Sequence, residues 1–95
     1  MNESEVLDAI AHGETAYGLL LDADPKLEKR FRRMCRTMKT FLEDVRQHFP
    51  DATYYTASGG FNLLLGNSHD DKGHPQSQLS AIGDTTGLVI GDGDY

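Results

Sequence analysis

The sequence predicts a small α+β domain. N-terminal helices, one of them long and amphipathic, pack on a small three-stranded antiparallel sheet. Three observations carry this. Between Pro25 and Phe49 the apolar residues Leu27, Phe31, Met34, Met38, Phe41 and Val45 are spaced 4, 3, 4, 3 and 4 apart, one helical stripe. After Pro50 the chain turns β-branched and aromatic, as in Thr53-Tyr54-Tyr55-Thr56. The helical patterns come first and the strand patterns second, an order typical of α+β folds. Ninety-five residues, 1–95, are read as one domain.

Asn2 and Glu5 have capping-box spacing and open a first helix with Val6, Leu7 and Ile10 on its apolar face. Gly13 can close that helix in a left-handed conformation. Glu14 to Leu21 suits a second short helix, although Gly18 weakens it and Tyr17 to Leu21 also reads as a buried strand. Asp24 as N-cap and Pro25 at the first helical position start the long helix, and Pro50 stops it at Phe49. Its length would be roughly 37 Å. Thr53–Ala57 and Phe61–Leu65 read as a hairpin joined by Ser58-Gly59-Gly60. Pro75 opens a short helix through Ile82, Gly83 ends it, and Leu88-Val89-Ile90 forms the third strand.

The charge is segregated. Eight of the nine cations lie between Lys26 and Arg46, where only Glu28, Glu43 and Asp44 oppose them, a local net of +5. The rest of the chain has Lys72 against twelve acids, and the whole is −6. Lys29, Arg30, Arg32, Arg33, Arg36 and Lys39 form a ridge, mainly opposite the apolar stripe, that could dock an acidic protein or grip phosphates. The pI near 5.0 disfavours the nucleic-acid reading, and no helix-turn-helix, zinc-finger or RNA-binding sheet motif accompanies the ridge. A solvated helix face explains the same residues without any partner.

The stripe could pair between chains, with Leu27, Met34 and Phe41 at d and Phe31, Met38 and Val45 at a. Phe and Met suit packing on a sheet better than a coiled coil, which prefers β-branched residues and Leu. A five- or six-residue strand reaches only about 17–20 Å, so the N-terminal half of the stripe extends past its sheet. Leu27, Phe31 and Met34 are then left for a second copy.

No catalytic constellation is present. His69, Asp70, Asp71 and His74 cluster in a glycine-bounded loop without zinc-site spacing, so the reading is a polar loop with no metal. Asp92 and Asp94 resemble the start of a calcium loop that lacks its later ligands. Cys35 reads as a half-buried packing thiol, and Tyr54, Tyr55 and Phe61 as core or cross-strand pairs. No cofactor motif occurs. A single cysteine, an N-terminus without secretory character and apolar runs too short to cross a bilayer fit a cytoplasmic protein.

The stretch FPDATYYTASGGFNLLLG, with GDGDY at the end, resembles small accessory proteins of bacterial temperate phages and prophages. The resemblance implies a cytoplasmic, non-enzymatic protein that modulates a host or phage partner. It implies no site residues. The expected function is an interaction or regulatory protein, a homodimer that binds another protein. The alternative is nucleic-acid binding through the basic face of helix 25–49, and an enzyme using the 69–74 cluster comes third.

Overall fold

The computed structural model describes residues 1–57 and 60–91. Three helices precede a three-stranded antiparallel sheet, so the fold is α+β. The chain divides into two compact units, Met1–Lys39 and Thr40–Tyr95.

The first unit is helical. Helix α1, Glu3–Ala11, opens on the capping box: the Glu5 amide donates to Asn2 Oδ1 at 2.9 Å, and the Asn2 amide donates to Glu5 Oε1 at 3.2 Å. Gly13 leaves the helix at φ 102°, where a side chain would be strained. Helix α2, Ala16–Ala23, starts and ends two residues later than the apolar pattern suggests, because Thr15 is its cap and accepts from the Gly18 amide at 3.0 Å. A β-carbon at position 18 would lie 3.0 Å from that hydroxyl, so the glycine that weakens the sequence signal makes room for the cap.

Helix α3, Leu27–Arg46, is 20 residues, about 30 Å long. It is shorter than predicted at both ends. Pro25 and Lys26 form a turn in which Asp24 Oδ1 accepts from the Lys26 amide at 2.9 Å and the Asp24 carbonyl accepts from the Leu27 amide at 3.1 Å. Asp24 thus organises the start of α3 from three residues upstream. At the other end the His48 and Phe49 amides both donate to the Val45 carbonyl, at 3.0 and 2.9 Å, and the chain leaves the helix ahead of Pro50.

The second unit takes the last turns of α3, from Thr40, and the sheet. Strands β1, Thr53–Ala57, β2, Gly60–Leu64, and β3, Ser80–Gly83, lie in the order β1-β2-β3. Tyr54 pairs with Leu63, Tyr55 with Asn62 and Thr56 with Phe61, and Leu63 and Leu64 pair with Ile82 and Ser80 across a register shift. Gly60 already belongs to β2, opposite Ala57. The remainder of the predicted turn, Ser58 and Gly59, lies outside the described residues, as do the last four positions with Asp92 and Asp94.

The third strand is not Leu88–Ile90, and the predicted helix from Pro75 to Ile82 shrinks to a 3₁₀ turn, Ser77–Leu79, running directly into β3. The β2 edge is taken by residues 80–83. Asp84 then turns the chain: its carboxylate accepts from the Thr86 amide at 3.0 Å, the Thr86 hydroxyl at 2.6 Å and the Leu88 amide at 3.1 Å. These bonds to Thr86 and Leu88 hold the Asp84 carboxyl below its ordinary value of 3.8. Val89 is left 101% exposed.

The described apolar core is Ala52, Leu63 and Leu64. Leu63 and Leu64 are neighbours in β2, so they point to opposite faces of the sheet. Each face therefore carries its own side-chain layer.

Candidate functional site

In the helical unit no residue from 1 to 39 is buried, and all of them are described. Phe31 is 61% exposed and Met34 50%, while Leu27 is half-buried. Leu7, Ile10, Tyr17 and Leu20 are exposed as well. Met1, Val6, Leu19 and Leu20 line an open apolar groove on α1 and α2. A polar contact ties α2 to α3: the Tyr17 hydroxyl donates to Glu28 Oε2 at 2.8 Å. Arg32 donates from Nε and Nη2 to Glu28 Oε1, at 3.1 and 3.0 Å. The Tyr17 phenol and then Arg32 hold the Glu28 carboxyl below its ordinary value, and the same hydrogen bond from Glu28 holds the Tyr17 phenol up.

The ridge residues Lys29, Arg30, Arg32, Arg33, Arg36 and Lys39 are all exposed. At 100° per residue, five of them fall within one helical face and Arg30 flanks the apolar stripe. Arg32 is committed to Glu28. Among the described residues, Lys29, Arg30, Arg33 and Arg36 form no ion pair. Cys35 is exposed rather than half-buried, a free thiol beside Arg32 and Arg36. It follows Phe31 by four residues, at the edge of the stripe, and is exposed because the stripe itself is exposed there.

In the sheet unit the three aromatics do not form one platform. Tyr54 and Phe61 stack at 5.3 Å on one face, whereas Tyr55 lies on the other, edge-on to His69 at 6.4 Å. Burial raises the Tyr54 phenol. Each face of the sheet carries a groove. The first, about 270 Å³, is lined by Phe41, Tyr54, Phe61, Leu63, Ile82 and Leu88 with Asp84 at its rim. The second, about 350 Å³, is bounded by Tyr55, Asn62, Leu64, Ser68, His69 and Gln76.

The 66–77 loop forms the wall of this second groove. The Asp70 amide donates to the His74 carbonyl at 2.9 Å, and the Gln76 amide to the Ser68 carbonyl at 2.8 Å. Asp70 Oδ1 accepts from the amides of Lys72 and His74, both at 2.9 Å. The carboxylate that the sequence offers to a metal is thus spent on its own turn. His69 Nδ1 lies 3.0 Å from Ser68 Oγ, and His74 Nδ1 lies 3.4 Å from Asp70 Oδ2. Among the described residues no group of three or more His, Cys, Asp or Glu is placed to hold a metal ion. None of their helices is long and apolar enough to cross a membrane.

Sequence reasoning finds the ridge and the Leu27–Phe31–Met34 patch but misses the second groove. Its one trace in the sequence is Asn62, a polar residue inside the apolar run Phe61–Leu65. No family model matches the sequence, and no curated protein or solved structure matches it either.

Proposed function

We propose that the chain is a small cytoplasmic interaction protein, without catalytic activity of its own, whose helical unit is completed by a second copy. One observation carries this: residues 1–39 fold into helices without burying a single residue. Segments below about 40 residues usually need a disulfide, a metal or another chain to offset their conformational entropy. One cysteine allows no internal disulfide. A second copy is the proposed cover for Leu27, Phe31 and Met34.

Charge favours a second copy as that chain. Residues 1–25 hold six acids and no Lys or Arg, while 26–39 hold seven cations and Glu28, so the unit is neutral and bipolar. A two-fold arrangement can set the acidic segment of each copy near the basic ridge of the other, which relieves the repulsion between Arg30 and Arg33 of two facing helices. The phage-accessory resemblance fits such a partner-modulating role.

Light scattering on a sizing column tests the reading. The expected mass at micromolar concentration is twice 10.5 kDa. A monomer that keeps its full helix content across the concentration range would sink it. The second reading, nucleic-acid binding, rests on Lys29, Arg33 and Arg36, which form no ion pair among the described residues. Duplex affinity tighter than roughly 10⁻⁵ M at physiological salt, weakened by Arg33→Glu, would put that reading first.

A further inference from the structure

The groove of about 350 Å³ on the Tyr55 face is within the size of small-ligand sites, near their lower bound of about 300 Å³. Its wall is preformed, because the 68–76 loop is closed by backbone bonds and by the Asp70 turn. Its floor is Leu64, buried in the central strand. No Asp, Glu, Lys or Arg lines it; its polar lining includes the Asn62 amide, the Ser68 hydroxyl, the Tyr55 phenol, the His69 imidazole and the Gln76 side chain.

The half-buried Asn62 sets the chemistry. Its amide makes no hydrogen bond among the described residues, so it offers a donor and an acceptor side by side. Glycines flank it. A β-carbon at Gly83 would come within 3.1 Å of Oδ1, and one at Gly60 within 3.6 Å of Nδ2. Tyr55 is its cross-strand partner, and the Tyr55 and His69 rings meet edge to face, so a flat ring can stack on one while touching the edge of the other. Gln76 spends its Nε2 on the Asn67 carbonyl at 2.9 Å, leaving Oε1 as an acceptor.

We propose that this groove binds an uncharged planar heterocycle with a donor and an acceptor on one edge, an adenine base presented as a free nucleoside. An Asn amide reads the adenine amine and its neighbouring ring nitrogen in a paired fashion. The nucleoside is favoured over a nucleotide or a strand because residues 40–95 hold eight acids against Arg46 and Lys72. That field repels phosphate.

Two-dimensional amide NMR of the full chain, titrated with adenosine, tests the proposal. Saturable shifts are expected at Asn62, Ser68, His69 and Gln76, with a dissociation constant on the order of 10⁻⁴ M for a ligand of that size. Purine riboside, which lacks the amine, should bind about tenfold more weakly to the unaltered protein. This comparison does not depend on any variant folding. Asn62→Ala should abolish the shifts while keeping a dispersed spectrum, and AMP should bind more weakly than adenosine. No shifts at millimolar adenosine, equal affinity for purine riboside, or tighter binding of AMP or an adenine oligonucleotide would each overturn the proposal.

Discussion

Replacing Phe31 with Gln is the sharpest perturbation of the proposed dimer. Gln keeps good helix propensity and adds no charge, so it changes little besides the apolar face. Phe31 is 61% exposed in the single chain. A Phe side chain that becomes fully buried covers at least about 150–200 Å², so a second copy would cover on the order of 100 Å² more at each Phe31. At about 25 cal/mol per Å² this contributes roughly 2–3 kcal/mol per copy. A two-fold interface contains the residue twice, so the loss is about 5 kcal/mol, between three and four powers of ten in the dimerisation constant. Sedimentation equilibrium across the micromolar range should find the unaltered protein dimeric and Phe31→Gln monomeric. Helix content measured by circular dichroism should fall together with the mass, because the helical unit has no core of its own. If Phe31→Gln keeps the unaltered protein's mass, the patch is not the interface. If the unaltered protein is monomeric and equally helical, the entropy argument itself fails.

The sheet unit and the α2–α3 contact offer three further tests. Arg46 Nε donates to the Ala52 carbonyl at 2.7 Å, and Ala52 is fully buried. Arg46→Met keeps the stem but orphans that acceptor, and urea unfolding of the sheet unit should show a loss of about 2 kcal/mol, whereas an unchanged midpoint would mean water replaces the guanidinium. Asp84 has a depressed folded-state pKa, so its contribution is present above its ordinary 3.8 and disappears as pH falls through the folded value. The Thr86 and Leu88 amide resonances should therefore move with a midpoint below 3.8, and Asp84→Ala should abolish the transition. Tyr17→Phe removes the first cause of the low Glu28 value, and carboxyl-detected NMR should find Glu28 titrating closer to its ordinary 4.5; no change would mean Arg32 alone sets it.

The parts of the fold that the sequence makes legible depend on local chemistry. The Asn2–Glu5 box, the Leu27–Val45 stripe and the paired β-branched and aromatic runs each state their element within a few residues. The misreadings arise where a distant partner decides. Leu88-Val89-Ile90 has the stronger strand composition, yet Ser80–Gly83 takes the β2 edge, and one carboxylate, Asp84, diverts the apolar run. Pro75 looks like a helix start because nothing local reveals the bridge that pairs it with His69. The ridge is legible because charge can be counted along one helix. The second groove is not, because Tyr55, Asn62, His69 and Gln76 come from separate stretches that only the sheet and its loop assemble.

The charge pattern also separates the two partners that the ridge could take. Gripping a duplex through Lys29, Arg33 and Arg36 would release about one counterion per phosphate neutralised, so affinity would fall by a steep power of salt. The same chain brings a net charge of −6 to any such complex, which weakens it before salt is added. Pairing with a second copy meets neither penalty in full. In the proposed pairing the helical units are neutral and the apolar contact of Leu27, Phe31 and Met34 would be unscreened by salt, while the −6 of each whole copy opposes association until salt screens it. Salt would therefore weaken such a dimer through the acid-to-ridge contacts and partly offset this by screening the repulsion between the two copies. Raising salt should loosen it by a modest factor, whereas a phosphate-bound complex should dissociate outright. The slope of association against salt thus distinguishes a ridge that aligns two copies from one that holds a nucleic acid.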